Sequence, residues 1–161
     1  MSSTLATGLV TQLNLVKEYF DRSTKVLDEG DSSFSPKDGM MTVAQQVAHV
    51  AQTIDWFREG IVRPEGFDMN FEAHWNEVAK VASLKAAREW HQRAHDAMVQ
   101  QVARTSDAEL NAPLPAGPVM GGAPKSSVVG GIDDHTAHHR GALTVYTRLI
   151  GKVAAMPYMD V

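Results

Sequence analysis

Four stretches of the chain repeat apolar residues at spacings of three, four and seven. In the first, Leu9, Leu13, Val16, Phe20 and Leu27 share one helical face. Val43, Val47, Val50, Ile54, Phe57 and Ile61 do so in the second, and Leu84, Ala87, Ala94, Met98 and Val102 in the third. The fourth carries Val128, Ile132, Leu143, Tyr146 and Ile150. A helix with one apolar face must bury it against another element. No pair of stretches shows the period-two alternation of half-buried strands. The expectation is an all-α protein, a four-helix bundle, with its 161 residues forming one domain over 1–161.

Local signals place the ends. The first helix is expected over about residues 4–28, stopped by Gly30. Thr42 and Gln45 have the spacing of a capping box, so the second starts there and ends before Pro64. Residues 64–82 form a long connection, with a short helix near Phe71–Val78. A connection of this length can cross the end of a bundle, so the second and third long helices need not be antiparallel neighbours. Ser83 caps the third helix, which runs to about Arg104. Residues 106–125 hold most of the prolines and glycines of the C-terminal half and read as a long surface loop. Ser126 or Ser127 caps the fourth helix, and Gly151 ends it. The Gly130-Gly131 pair inside that helix predicts a close approach of something to its backbone.

Two histidine pairs interrupt the apolar faces. His135 and His139 lie four apart at the centre of the fourth stripe, while His138 projects to one side. His91 and His95 lie four apart on the third. Residues i and i+4 sit one above the other on a helix, so either pair presents two imidazoles to one point. A buried imidazole has two nitrogens to satisfy, and leaving one unpaired costs about 1–3 kcal/mol. A metal ion satisfies one nitrogen of each ring; so do hydrogen bonds to core neighbours. Thr136, rather than Glu, follows His135, so the stretch is not an HExxH zinc helix. Spacing alone does not choose between the two pairs, and all four rings could face one cavity. His49 stands on the shoulder of the second stripe, beside Thr53 and Trp56, where an interfacial histidine is the ordinary reading.

Composition narrows the chemistry. There is no cysteine, so disulfides, thiolate metal sites and a cysteine nucleophile are excluded. The net charge of -4, with both signs dispersed, argues against nucleic acid as a partner. No apolar run approaches the ~18 residues of a membrane span, and the N-terminus lacks a charged and apolar leader. The expected location is the cytoplasm, with no membrane partner.

Two motifs resemble the DinB/YfiT-like family of small metal-binding four-helix bundles. Thr42-Val43-Ala44-Gln45-Gln46-Val47-Ala48-His49 is similar to the family's capped helix that delivers one histidine. His135-Thr136-Ala137-His138-His139-Arg140-Gly141 is similar to its HxxHHRGQ-like signature, in which the first and last histidines bind metal. Ala142 stands where the family usually has Gln. The resemblance covers essentially the whole chain. It implies a DinB-like bundle with a long crossover connection and a three-histidine metal site of His49, His135 and His139. His91 and His95 are then core or cavity-lining residues.

Three neutral imidazoles would leave a divalent metal with an open position, the pattern of catalytic zinc. Zinc or nickel is the expected ion, and iron or manganese also accept imidazole. The open position suits water or an external thiol. The family contains enzymes that use low-molecular-weight thiols such as bacillithiol or mycothiol. The implied function is thus a metal-dependent enzyme acting on a small-molecule substrate, either a thiol-dependent S-transferase or a hydrolase. The alternative is a non-catalytic metal-binding or dimeric interaction module. In either case a homodimer is the expected assembly. No general acid or base stands out. Asp134 points off the stripe, Arg140 could meet an anionic group, Tyr146 could reach the cavity, and Trp56 could wall it.

Overall fold

Each apolar stripe folds as a helix in the computed structural model, which describes residues 3–159. The four long helices are α1 (Thr4–Thr24), α2 (Val43–Gly60), α4 (Leu84–Arg104) and α6 (Ser127–Leu149). Two short ones, α3 (Phe71–Ala79) and α5 (Asp107–Asn111), lie in the connections. Leu13, Phe20, Leu84, Met98, Ile132 and Leu143 are at most 2% exposed and fill the centre. Each such side chain contributes about 1.5–3 kcal/mol by leaving water.

The expected caps of α2 and α4 form. Thr42 Oγ1 accepts from Gln45 N at 3.2 Å while Gln45 Oε1 accepts from Thr42 N at 2.9 Å. Ser83 Oγ accepts from Ala86 N at 3.1 Å. Gly151, at φ 79°, ends α6, with Lys152 N donating to Thr147 O at 2.9 Å.

Several local features differ from expectation. Helix α1 stops at Thr24, and Gly30 lies within a separate 3-10 turn, Glu29–Asp31. A tertiary partner sets this end: Arg88 of α4 donates to the carbonyls of Thr24 at 2.8 Å and Leu27 at 3.4 Å. Leu27 remains buried outside the helix. Ser126 flanks α6 in helical conformation but its side chain makes no capping bond; Ser127 is already inside the helix. The backbone instead enters through i to i−3 bonds, from Ser127 N to Pro124 O and from Val128 N to Lys125 O. The loop at 106–125 contains α5, capped by Ser106 on Glu109 N.

Contacts between helices define the topology. Gln12 of α1 meets Asp133 of α6 and Ser23 meets Thr144, so these two run parallel. Helix α2 is antiparallel to α6, since Gln46 meets Tyr146 and Thr53 meets His135. Ser32 bonds both Leu84 N and Ala44 N, and Gln101 near the far end of α4 bonds Arg58 O near the far end of α2. Helices α2 and α4 are therefore neighbours that run parallel, and they form the most extensive pair in the bundle. A parallel neighbour requires the chain to return the length of the bundle. Residues 61–83 do so through α3, which runs back along α2 from Trp56, packed on Phe71, to Gln45, bonded to Ala79 O. This is the long crossover.

The glycine pair in α6 splits in role. A Cβ on Gly131 would lie 2.8 Å from Cζ of Phe57, whereas one on Gly130 meets nothing. The close approach belongs to Gly131 alone, and it seats the Phe57 ring of α2 against the α6 backbone. None of the described helices is long and apolar enough to cross a membrane.

Candidate metal centre

Where α2 packs antiparallel on α6, three imidazoles converge. His49 is on α2, and His135 and His139 are one turn apart on α6. Their ring centroids are 4.9 Å (His49 to His135), 4.9 Å (His49 to His139) and 4.5 Å (His135 to His139) apart. One ring nitrogen from each lies within 4.8 Å of the others. Nε2 of His49 and Nε2 of His135 are 3.2 Å apart. Two ligands on a tetrahedral zinc, each at ~2.0–2.1 Å, are separated by roughly 3.3 Å. The donor set and its spacing therefore suit a divalent ion.

Electrostatics favours the same state. Burial is the main cause that pushes His139 down to about 3 and His135 down to about 4, aided by the neighbouring histidines. His49 is lowered by burial and by His138. All three are neutral at pH 7, as metal binding requires, because a protonated imidazole has no lone pair to give.

Two α2 side chains support the trio. Gln46, one turn before His49, accepts through Oε1 from His139 Nδ1. Its Nε2 donates to the Tyr146 hydroxyl at 3.3 Å, which donates to Met41 O at 3.1 Å. This chain places the His139 proton on Nδ1 and leaves Nε2 free on the side of the other rings. Tyr146 is thus a back support rather than a cavity residue. Thr53, one turn after His49, has its hydroxyl 3.4 Å from His135 Nε2. Neither role stood out in the sequence, although Gln46, His49 and Thr53 share one face by their spacing of three and four.

A cavity of about 460 Å³ opens on the His49 and His135 side, with Trp56, Phe57, Phe71 and Trp75 among its walls. Trp56 walls the cavity as expected, and Asp134 stands at its rim. Arg140 does not reach it: its guanidinium lies 5.9 Å from the Tyr19 ring and 5.6 Å from that of Tyr158, on the α1 side.

His91 and His95 are elsewhere. Both are buried on α4, and His91 packs edge-on against Phe20 of α1 at 4.9 Å. His95 Nε2 is buried without a hydrogen-bond partner, and His95 Nδ1 lies 3.3 Å from Asp96 Oδ1. His91 faces α1, and neither histidine joins the three rings between α2 and α6.

A family model for the DinB superfamily matches residues 12–143. The chain belongs to the DinB superfamily. The solved structure of a mycothiol-dependent maleylpyruvate isomerase is similar over 92% of this chain and 62% of that chain, at 18% identity and a TM-score of 0.71. A mutant of that enzyme with one histidine changed to alanine is similar over the same shares at 17% identity and the same TM-score of 0.71. This member of the DinB superfamily thus spans less than two thirds of those enzymes, and the likeness is one of fold. A comparison with curated proteins finds no match.

Proposed function

We propose that His49, His135 and His139 bind a divalent metal, zinc or nickel, and that the protein is a metal-dependent transferase using an external low-molecular-weight thiol. The observation that carries this reading is the convergence of three neutral imidazoles with one side facing a cavity. When bound, the metal supplies a Lewis-acid position that makes a thiol, or water, acidic enough to ionise near neutral pH. The histidines hold the ion, and Gln46 and Tyr146 fix the His139 ring. Thr53 is placed to hydrogen-bond the group that enters from the cavity. Trp56, Phe57, Phe71 and Trp75 give that space an aromatic wall. In a transfer the thiol gives its proton to solvent and its sulfur bonds an electrophilic carbon. The displaced group leaves with the electron pair of the broken bond. The thiol must be external, because the chain has no cysteine. That the similar solved enzymes are mycothiol-dependent makes mycothiol the first thiol to test.

The test is a conjugation screen on metal-loaded protein with mycothiol, bacillithiol and simple thiols, alongside ester hydrolysis. Turnover above the uncatalysed rate is expected, and its loss in His139→Ala. No turnover with any thiol or ester would favour the second reading, a metal-binding module that assembles as a dimer. The exposed Val145 and Leu149, one turn apart on the outer face of α6, support that reading, and doubling of mass in sedimentation would accompany it.

The supporting role of Gln46 has its own expected result. Gln46→Leu lowers metal affinity about 10–100-fold, while Gln46→Glu, which keeps an acceptor for His139 Nδ1, retains it. Competition with a chromophoric chelator reads both. Equal affinity in all three proteins would remove Gln46 from the site.

A further inference from the structure

The cavity beside the three histidines is walled by rings, and its charge is one-sided. Trp56 is held in place, with Nε1 donating to Asp68 O at 2.7 Å and its ring 4.7 Å from that of Phe67. Phe57 is pinned over Gly131. Phe71 and Trp75, one turn apart on α3, complete the wall yet are 56% and 42% exposed. Two large rings left half in water beside a cavity are surface that a ligand can cover. A volume of about 460 Å³ fits a small molecule of one or two rings. Gln52, Thr53 and His74 offer a few polar contacts.

No lysine or arginine is among the described residues that line this space, and its carboxylate is Asp134. A metal on the three histidines would offer positive charge at the inner end only. An anionic group farther out would meet Asp134, aromatic rings and His74, whose Nε2 is already turned to Asp68 O at 3.2 Å, with no lysine or arginine to replace its lost hydration. An uncharged flat ring loses little hydration there and gains contact with Trp56, Phe71 and Trp75.

We infer that the cavity takes an uncharged, flat, ring-bearing small molecule, and selects against ligands with a carboxylate away from the metal. That this molecule is the substrate rests on the metal-dependent reading above; its binding does not.

The test uses metal-free protein and two ligands with the same ring and different charge, methyl 1-naphthoate and 1-naphthoate. Each displaces the uncharged fluorophore N-phenyl-1-naphthylamine. The ester is expected to bind at least about tenfold more tightly than the anion, and Phe71→Ala and Trp75→Ala each to weaken the ester about tenfold. Because both rings are half exposed, these variants keep the fold, which circular dichroism checks. Binding of the anion as tight as that of the ester overturns the inference, and so does unchanged ester affinity in both variants. His139, which does not line the cavity, separates the two readings. His139→Ala is expected to lose metal and keep the ester, so failure of either reading is visible without the other.

Discussion

His49→Ala and His139→Ala proteins, loaded with zinc or nickel and then desalted, are expected to carry no stoichiometric metal, while His91→Gln carries as much as the wild type. Each of the first two removes one of three imidazole donors gathered within 4.8 Å. The loss should exceed the roughly 10–100-fold cost of disturbing a mere supporting contact. His91 is as deeply buried as any of the trio, at 2% exposure, so burial alone would not protect it from being a ligand. Its ring is spent on Phe20 of α1. Elemental analysis of the purified proteins decides the matter. Metal lost from His91→Gln and kept by His49→Ala would overturn the ligand assignment.

Acid should destabilise the metal-free protein well before its carboxylates titrate. Burial, with Lys17, His95 and Arg88 adding to it, pushes His91 down to about 3 from an ordinary 6.5. A histidine depressed in the folded state binds fewer protons there than in the unfolded chain at any pH between those two values. The stability it allows is complete above about pH 6.5 and is lost as pH falls toward 3, at about 1.4 kcal/mol per pH unit. From pH 7 to pH 5 His91 alone thus removes about 2 kcal/mol, or about 4–8 °C in melting temperature for a chain of this size. His135 and His139 act in the same direction. Calorimetry across this range should show the decline, and a shallower one in His91→Gln. The same slope in both proteins would remove His91 as a cause.

Much of the architecture was legible because periodicity is local. Every residue of the second stripe, Val43 to Ile61, is buried as its spacing required, and the Thr42–Gln45 box closes as its sequence pattern required. The end of α1 was not legible, because Arg88, some sixty residues on, occupies the carbonyls that a longer helix would have used. Helix α5 was hidden under a surrounding run of prolines and glycines, although Ser106 and Glu109 carry a capping signal. Tyr146 was legible as a residue of the core face but not as the second link of a chain that begins at His139.

The amino-acid sequence by itself determined four amphipathic helices and the placing of His135 and His139, and equally of His91 and His95, on buried faces. A helical wheel says that a side chain faces inward; it does not say which helix it will meet. Only the tertiary structure decided that. The crossover through α3 lays α4 parallel to α2 and leaves His91 against Phe20 of α1, away from the three rings. The antiparallel packing of α2 on α6 brings His49, from a shoulder position, to within 3.2 Å of His135. The physical reason is that helix faces are fixed by spacing along one segment, whereas a metal-sized convergence depends on register between segments far apart in the chain.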